Sequence, residues 1–331
     1  MAQLCTSTFI IADPSRVSIM VSKSDWAVWS AKKKILVCSI IGFVIALGIG
    51  LGVGLGVGLK NRDDDDDGES EGNTGSGHGT NGNYTVSWKP EVGTKWQIEL
   101  KYALNSTSVD APIYDIDLFD NPKSKIEELQ GMGRKVICYF SAGTFEDWRS
   151  DANDFEEGDL GKTLEDWPGE RWLNTNSNKV RKIMQTRLDL AVTKGCDGVD
   201  PDNIDGYDNK NGLSLTQKDA INYVNWLADQ AHSRNMSVGL KNGGSIIDSV
   251  IDNMEWSVNE QCAQYTECDT YAAFTEAGKP VFHIEYPKGD STNNNDDVTA
   301  AQKSSACNAA SAGNFSTVIK NMNLDNWVQY C

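Results

Sequence analysis

The chain has 331 residues, with 47 acidic side chains against 30 lysines and arginines and a formal net charge of -17. That balance argues against a nucleic-acid partner, whose phosphates demand a basic face. Three histidines, His78, His232 and His283, leave little material for a His-rich metal site or a Ser-His-Asp triad.

From the N-terminus, the first distinctive run is Ile35–Leu59, ILVCSIIGFVIALGIGLGVGLGVGL, 25 residues without a charge. About 20 apolar residues cross a bilayer core, so the run spans with some tilt. Lys32, Lys33 and Lys34 stand just before it, with Lys23 and Arg16 further upstream. This basic excess predicts a single-pass anchor, with residues 1–34 a cytoplasmic tail and everything after residue 59 extracellular or lumenal, at the cell surface. A cleaved signal peptide fits poorly, because its apolar stretch is usually about 7–15 residues. Residues 60–83 contain five consecutive aspartates, Asp63–Asp67, and then a Gly-, Ser- and Asn-rich stretch. They read as a flexible linker, which leaves residues 84–331 as the functional domain. The charge divides accordingly, with 45 acidic and 23 basic groups in residues 63–331.

Six cysteines follow the anchor: Cys138, Cys196, Cys262, Cys268, Cys307 and Cys331. Six allow 15 pairings, and spacing alone does not choose among them. Cys262 and Cys268 are close enough for a small loop, Cys307 is placed to tie down Cys331, and Cys138 with Cys196 would then join neighbouring strands. Their scatter lacks the CxxC-type pairs of a zinc site. Sequons at Asn83, Asn105, Asn235 and Asn314 suit the same oxidising compartment.

Eight short apolar runs predict strands at 95–100, 113–119, 135–140, 198–201, 237–240, 256–259, 280–284 and 316–319. Helical periodicity falls between several of them. Val180, Ile183, Met184, Leu188 and Ala191 mark one face, and Thr216-x-x-Asp219 opens a second helix. Further helices are expected at 122–130, 246–253, 270–277 and 298–312. Eight strands with intervening helices over about 245 residues is the arithmetic of a (β/α)8 TIM barrel, an α/β fold. The link from Leu100 to Pro112 is too short for a full helix. No GxGxxG or GxxxxGK[ST] supports a doubly wound nucleotide-binding sheet instead.

Barrel enzymes place chemistry at the C-terminal ends of strands. Here those ends are polar: Asp115 and Asp117; Ser141; Asp200, Asp202, Asn203 and Asp205; Lys241 and Asn242; Glu260; Glu285; Asn323 and Asp325. Facing carboxylates without His or Cys partners suit glycoside hydrolysis, in which one group protonates the leaving oxygen and another attacks or stabilises the anomeric centre. Trp148, Trp167, Trp172, Tyr207 and Tyr265 fall in loops at the same end, where rings of sugar want aromatic platforms.

WKPEVGTKWQIEL (88–100), YDIDLFD (114–120), KVICYFSAGTFEDWR (135–149), WPGERWL (167–173), GCDGVDPDNIDGY (195–207), SVGLKN (237–242), VNEQC (258–262) and FHIEY (282–286) together resemble glycoside hydrolase family 114. The family is similar to the endo-α-1,4-polygalactosaminidases, and the likeness covers about residues 86–331. It implies a barrel, internal cleavage of α-1,4-linked galactosamine polymers, and no metal or cofactor. By this resemblance Asp202 is the nucleophile and Glu260, with a raised pKa, the general acid/base. Asp115, Asp117, Tyr139, Asp200, Asn203, Lys241, Asn242 and Glu285 are the expected substrate contacts. The family more often has Glu where this chain has Asp200, and Lys241 has the alternative of pairing with Asp202 or Asp200 to hold it ionised. The partner implied is a cationic galactosamine-containing polysaccharide. A surface-anchored barrel that binds polysaccharide without cutting it, and a glycosidase of other sugar specificity, are the competing readings.

Overall fold

Short strands rich in β-branched and aromatic residues alternate with amphipathic helices, and this alternation builds a nearly closed sheet. The computed structural model describes residues 86–331. The predicted tail 1–34, membrane segment 35–59 and linker 60–83 lie outside the described residues. Among the described residues, no helix is long and apolar enough to cross a membrane.

The elements run β1 (Trp96–Glu99), β2 (Ile113–Asp117), α1 (Lys123–Gly131), β3 (Lys135–Ser141), β4 (Thr144–Glu146), β5 (Leu160–Thr163), β6 (Glu170–Leu173) and α2 (Asn178–Lys194). They continue β7 (Gly198–Asp202), α3 (Gln217–His232), β8 (Ser237–Lys241), α4 (Ile247–Val250), β9 (Trp256–Glu260), α5 (Cys262–Tyr265) and α6 (Cys268–Glu276). The last are β10 (Val281–Glu285), α7 (Ala300–Cys307), β11 (Ser316–Lys320) and β12 (Val328–Tyr330). The main sheet is ordered β1-β2-β3-β7-β8-β9-β10-β11-β12, parallel throughout except for β12, which runs antiparallel to β11. All eight predicted strands are present, and the β1–β2 connection holds no helix.

The β1–β11 seam is bridged by side chains and a loop rather than by a ladder. Trp96 Nε1 donates to Ser316 O at 2.8 Å, and Leu100 N to Leu324 O at 3.0 Å. Buried Lys320 donates to Gln97 Oε1 and to Asp325 O. The barrel interior is filled by Trp96, Ile98, Ile113, Ile137, Trp256, Phe282, Ile284 and Val318. Room for Trp256 comes from Gly239: a Cβ there would lie 2.0 Å from the indole nitrogen. Trp88 lies against Trp256, ring centroids 5.8 Å apart, and its carbonyl accepts from Ser237 Oγ at the start of β8. Residues 86–88 therefore close the N-terminal end of the barrel. A second core packs the outside of the sheet against the helices, with Leu188, Ala191, Tyr223, Leu227 and Phe274 buried in it.

Helix α3 starts at a reciprocal capping box between Thr216 and Asp219, as its sequence predicts. Three expectations change. The predicted 298–312 helix contracts to α7, and 246–253 forms α4 flanked by 3-10 turns. The β3–β7 connection, expected as loop plus helix, also carries a small antiparallel sheet ordered β4-β6-β5. Disulfides join Cys138–Cys196, Cys262–Cys268 and Cys307–Cys331. The acceptor side chains Asn105, Asn235 and Asn314 belong to exposed residues.

Candidate active site

Three consecutive strands of the barrel end in ionisable side chains: β7 in Asp202, β8 in Lys241, β9 in Glu260. Alternation along each strand turns all three inward, on the face that carries Gly198, Gly239 and Val258 below them. The residue after each strand end, Asn203, Asn242 or Gln261, takes a left-handed backbone conformation with φ of 59°, 51° and 66°. Each strand thus breaks off abruptly and leaves its last side chain at the mouth.

Lys241 Nζ sits 3.2 Å from Asp202 Oδ2 and 2.7 Å from Glu260 Oε2. The two oxygens are therefore no farther apart than the sum of those distances, about 5.9 Å. Tyr139 OH donates to Asp202 Oδ2 at 3.0 Å, and Asn203 N to Oδ1 at 2.7 Å. On the other carboxylate, Tyr286 OH donates to Glu260 Oε1 at 2.5 Å and Asn242 Nδ2 to Oε2 at 3.2 Å. Asn242 Oδ1 also accepts Glu260 N at 3.0 Å, so one amide fixes both the backbone and the carboxylate. The two side chains keep 16% and 25% of their surface, enough to meet a substrate.

Burial works against the Lys241 charge, yet Asp202, Glu260 and Asp200 outweigh it and hold the ammonium well above the usual lysine range. Burial also pushes Glu260 up, but Lys241, Tyr286 and Asn242 prevail and hold its carboxyl below the ordinary glutamate value. The expected raised pKa for Glu260 is thus not found in the free protein: Lys241, Asn242 and Tyr286 all donate to its carboxylate, and donors favour the anion. Burial first, and then Asp202 or Glu260, keep the Tyr139 and Tyr286 phenols well above their usual range, hence neutral donors.

The remaining predicted site residues separate by environment. Tyr139 and Asn242 orient the two carboxylates. Asp115 and Asp200, expected at the substrate, lie fully buried below the mouth. Asp117 is also corrected: Arg149 clamps it at 2.6 and 3.1 Å while Phe119 N and Asp120 N donate to it. Asn203 turns its amide to Ser141 Oγ and Thr144 Oγ1, securing the loop into β4. Gly143 is what lets that loop approach, since a Cβ there would fall 1.7 Å from Asn203 O. Glu285 points away from the interior and accepts Ala263 N at 2.8 Å and His283 Nε2 at 2.9 Å. Tyr286, absent from the predicted set, shares the inward face with Ile284, so strand alternation alone places it.

Beside Glu260 the mouth opens into a cleft of about 500 Å³, lined among others by Asp205, Asp208, Tyr265 and Glu267 and by no lysine or arginine among its described residues. Burial and the nearby Asp202 push Asp205 up to about 6. Trp148 and Trp167 are exposed on the β3–β7 connection, whereas Trp172 is core. Cys262, Cys268 and His283 cluster within 4.8 Å, but the two sulfurs are bonded to each other and offer no thiolate to a metal.

A search of curated proteins finds no match. Among solved structures, that of Aspergillus fumigatus Ega3 in complex with galactosamine is 70% identical, with a TM-score of 0.74, covering 76% of this chain and 100% of that one. The glycoside hydrolase domain of PelA from Pseudomonas aeruginosa shares the fold at 11% identity and a TM-score of 0.57, covering 71% of this chain and 98% of that one. The model of glycoside hydrolase family GH114 matches residues 78–331, which takes in the whole barrel and the Asp202–Lys241–Glu260 bridge. On that match the chain is a member of glycoside hydrolase family GH114.

Proposed function

We propose that the protein is a retaining endo-α-1,4-polygalactosaminidase in which Asp202 is the nucleophile and Glu260 the general acid/base. The observation that carries this reading is the single ammonium shared by the two carboxylates. Retaining glycosidases hold their carboxyl groups about 5–5.5 Å apart and inverting ones roughly 6.5–9.5 Å, and facing oxygens at most about 5.9 Å apart on one ammonium favour the closer arrangement.

In this scheme Asp202 attacks the anomeric carbon as the bond to the departing oxygen breaks. Glu260 gives that oxygen its proton, and a glycosyl ester forms on Asp202. Glu260, now ionised, takes a proton from water, and the resulting hydroxide equivalent displaces Asp202 from the sugar. Tyr139 and Lys241 hold the nucleophile's Oδ2 throughout. Because Glu260 is ionised in the free protein, it acquires its proton before the first step, and Tyr286 OH then accepts where it had donated.

Substrate class follows from the cleft. De-N-acetylated galactosamine units are cationic below the pKa of their amines, and Asp205, Asp208 and Glu267 offer counter-charge beside a Tyr265 ring suited to a sugar face. The galactosamine in the Ega3 structure supports the same sugar. We further propose that the domain is a (β/α)8 barrel carried on one transmembrane segment, residues 35–59, and a linker, residues 60–83, with residues 1–34 cytoplasmic and the barrel at the cell surface.

Reducing ends released from de-N-acetylated α-1,4-galactosamine polymer test the assignment, together with the anomer formed first. Parent enzyme is expected to yield the α product, and Asp202→Asn and Glu260→Gln to lose cleavage. A β product would make the enzyme inverting, and activity surviving in both variants would remove the site. Polymer retained by the folded parent without cleavage would favour the binding barrel.

A further inference from the structure

Below the catalytic pair lies a second pair of carboxyls that the double-displacement scheme leaves unused. Asp115 on β2 and Asp200 on β7 are both 0% exposed, and no N–H or O–H of another residue reaches any of their four carboxyl oxygens. Unpartnered buried carboxylates are costly, and two of them together more so. The two carboxyls lie close enough to act on one another, and with burial this favours a single proton on the pair, carried by Asp115 rather than Asp200. Burial raises both acids, Asp200 to about 7 against the pull of Lys241. The charged and titratable groups facing the pair are Tyr139 from β3, Asp202 on β7 itself, Lys241 from β8 and Glu260 from β9, while Asp117 above is committed to Arg149. One cation thus stands among Asp202, Glu260 and the buried pair.

We propose that the Asp115–Asp200 pair is the counter-charge that keeps Lys241 in place while Glu260 carries its proton, making these two aspartates positioning residues for the acid step. The proposal rests on the acid/base reading of Glu260 given above. When Glu260 is protonated, the ammonium loses its 2.7 Å partner. An ionised Asp200 beneath compensates and, being itself negative, favours the proton on Glu260. Without that charge Lys241 has only Asp202 and Glu260, grips Glu260 as the anion and drives its proton off. Once Asp202 becomes an ester, Asp200 is the remaining buried anion that holds the ammonium at the floor.

The two aspartates then act with opposite sign. Asp200→Asn removes the charge, so the alkaline limb of kcat/KM moves to lower pH. Asp115→Asn supplies an amide donor to Asp200 and keeps it ionised, so the limb stays or moves to higher pH. With a galactosamine oligomer as substrate, a one-unit downward shift makes the Asp200→Asn deficit about tenfold at pH values above the limb, shrinking toward parity below it. An aryl α-galactosaminide with a nitrophenolate leaving group needs no proton from Glu260, and with it the deficit stays small and level with pH. An unmoved limb in Asp200→Asn, limbs moving the same way in both variants, or an equal deficit on both substrates would overturn the proposal. Should Asp200→Asn fail to fold, judged by thermal unfolding, a downward limb shift in Asp115→Asn overturns it alone. Failure of the underlying reading shows separately, as cleavage surviving Asp202→Asn and Glu260→Gln.

Discussion

Lys241 holds the site's electrostatics together, buried among carboxylates whose mutual repulsion it offsets. Removing one partner from a buried charge cluster costs about 3–5 kcal/mol, because the others are left uncompensated. Lys241→Met is therefore expected to lower thermal stability as well as turnover. It is also expected to move the acid limb of kcat/KM to higher pH, since the site then takes up protons more readily; an acid limb unchanged in a folded variant would count against the ammonium's role. Asp202, Lys241 and Glu260 were legible in the sequence because each ends an apolar run within a family motif. What the sequence hid was the partner arriving from elsewhere. Asp117 has the same strand-end signature as Asp202, but Arg149 comes to it from the inserted connection. Glu285 also ends a strand, yet it is out of phase with inward-facing Ile284, and alternation sends it toward α5. Glu260 differs from expectation for a related reason: spacing places a carboxyl, but its protonation depends on donors from β8 and β10.

Among the elements, those with one clear periodicity were read almost to the residue. Helix α3 announces its own start, and Thr216→Ala, which removes the cap on Asp219 N, is expected to cost about 1 kcal/mol in urea unfolding. The Cys138–Cys196 bond joins β3 to the turn before β7 and closes a 58-residue span that includes the antiparallel insert. Replacing both cysteines by alanine is expected to cost roughly 2–5 kcal/mol, measured on the same curve. The insert itself was invisible because β4, β5 and β6 are only three or four residues long, and β5 is not buried. Their order comes from buried polar and ionic contacts instead. Arg187 on α2 reaches Asp151 at 2.8 Å and Ser141 O at 2.6 Å, and Thr144 Oγ1 donates to Glu170 at 2.8 Å. Such contacts leave no period in the sequence.

At the scale of the molecule, residues 63–331 carry about twice as many acidic as basic groups, and the cleft repeats that excess locally. Raising ionic strength from about 0.01 M to about 1 M shortens the screening length from about 30 Å to about 3 Å. The rate of polymer cleavage at low substrate is therefore expected to fall steeply with salt while kcat changes little; a salt-independent kcat/KM would dismiss electrostatic steering. The barrel's closure has its own consequence. Residues 86–88 plug the N-terminal end of the barrel, and β12 runs antiparallel back to that same end, where Tyr330 OH meets Trp96 O. Both ends of the described domain thus depart from the base, and the catalytic mouth opens on the opposite face. A bead, a fusion partner or a cell wall attached through either end leaves the mouth clear, so a long polymer has room to enter and leave sideways without its own ends being threaded.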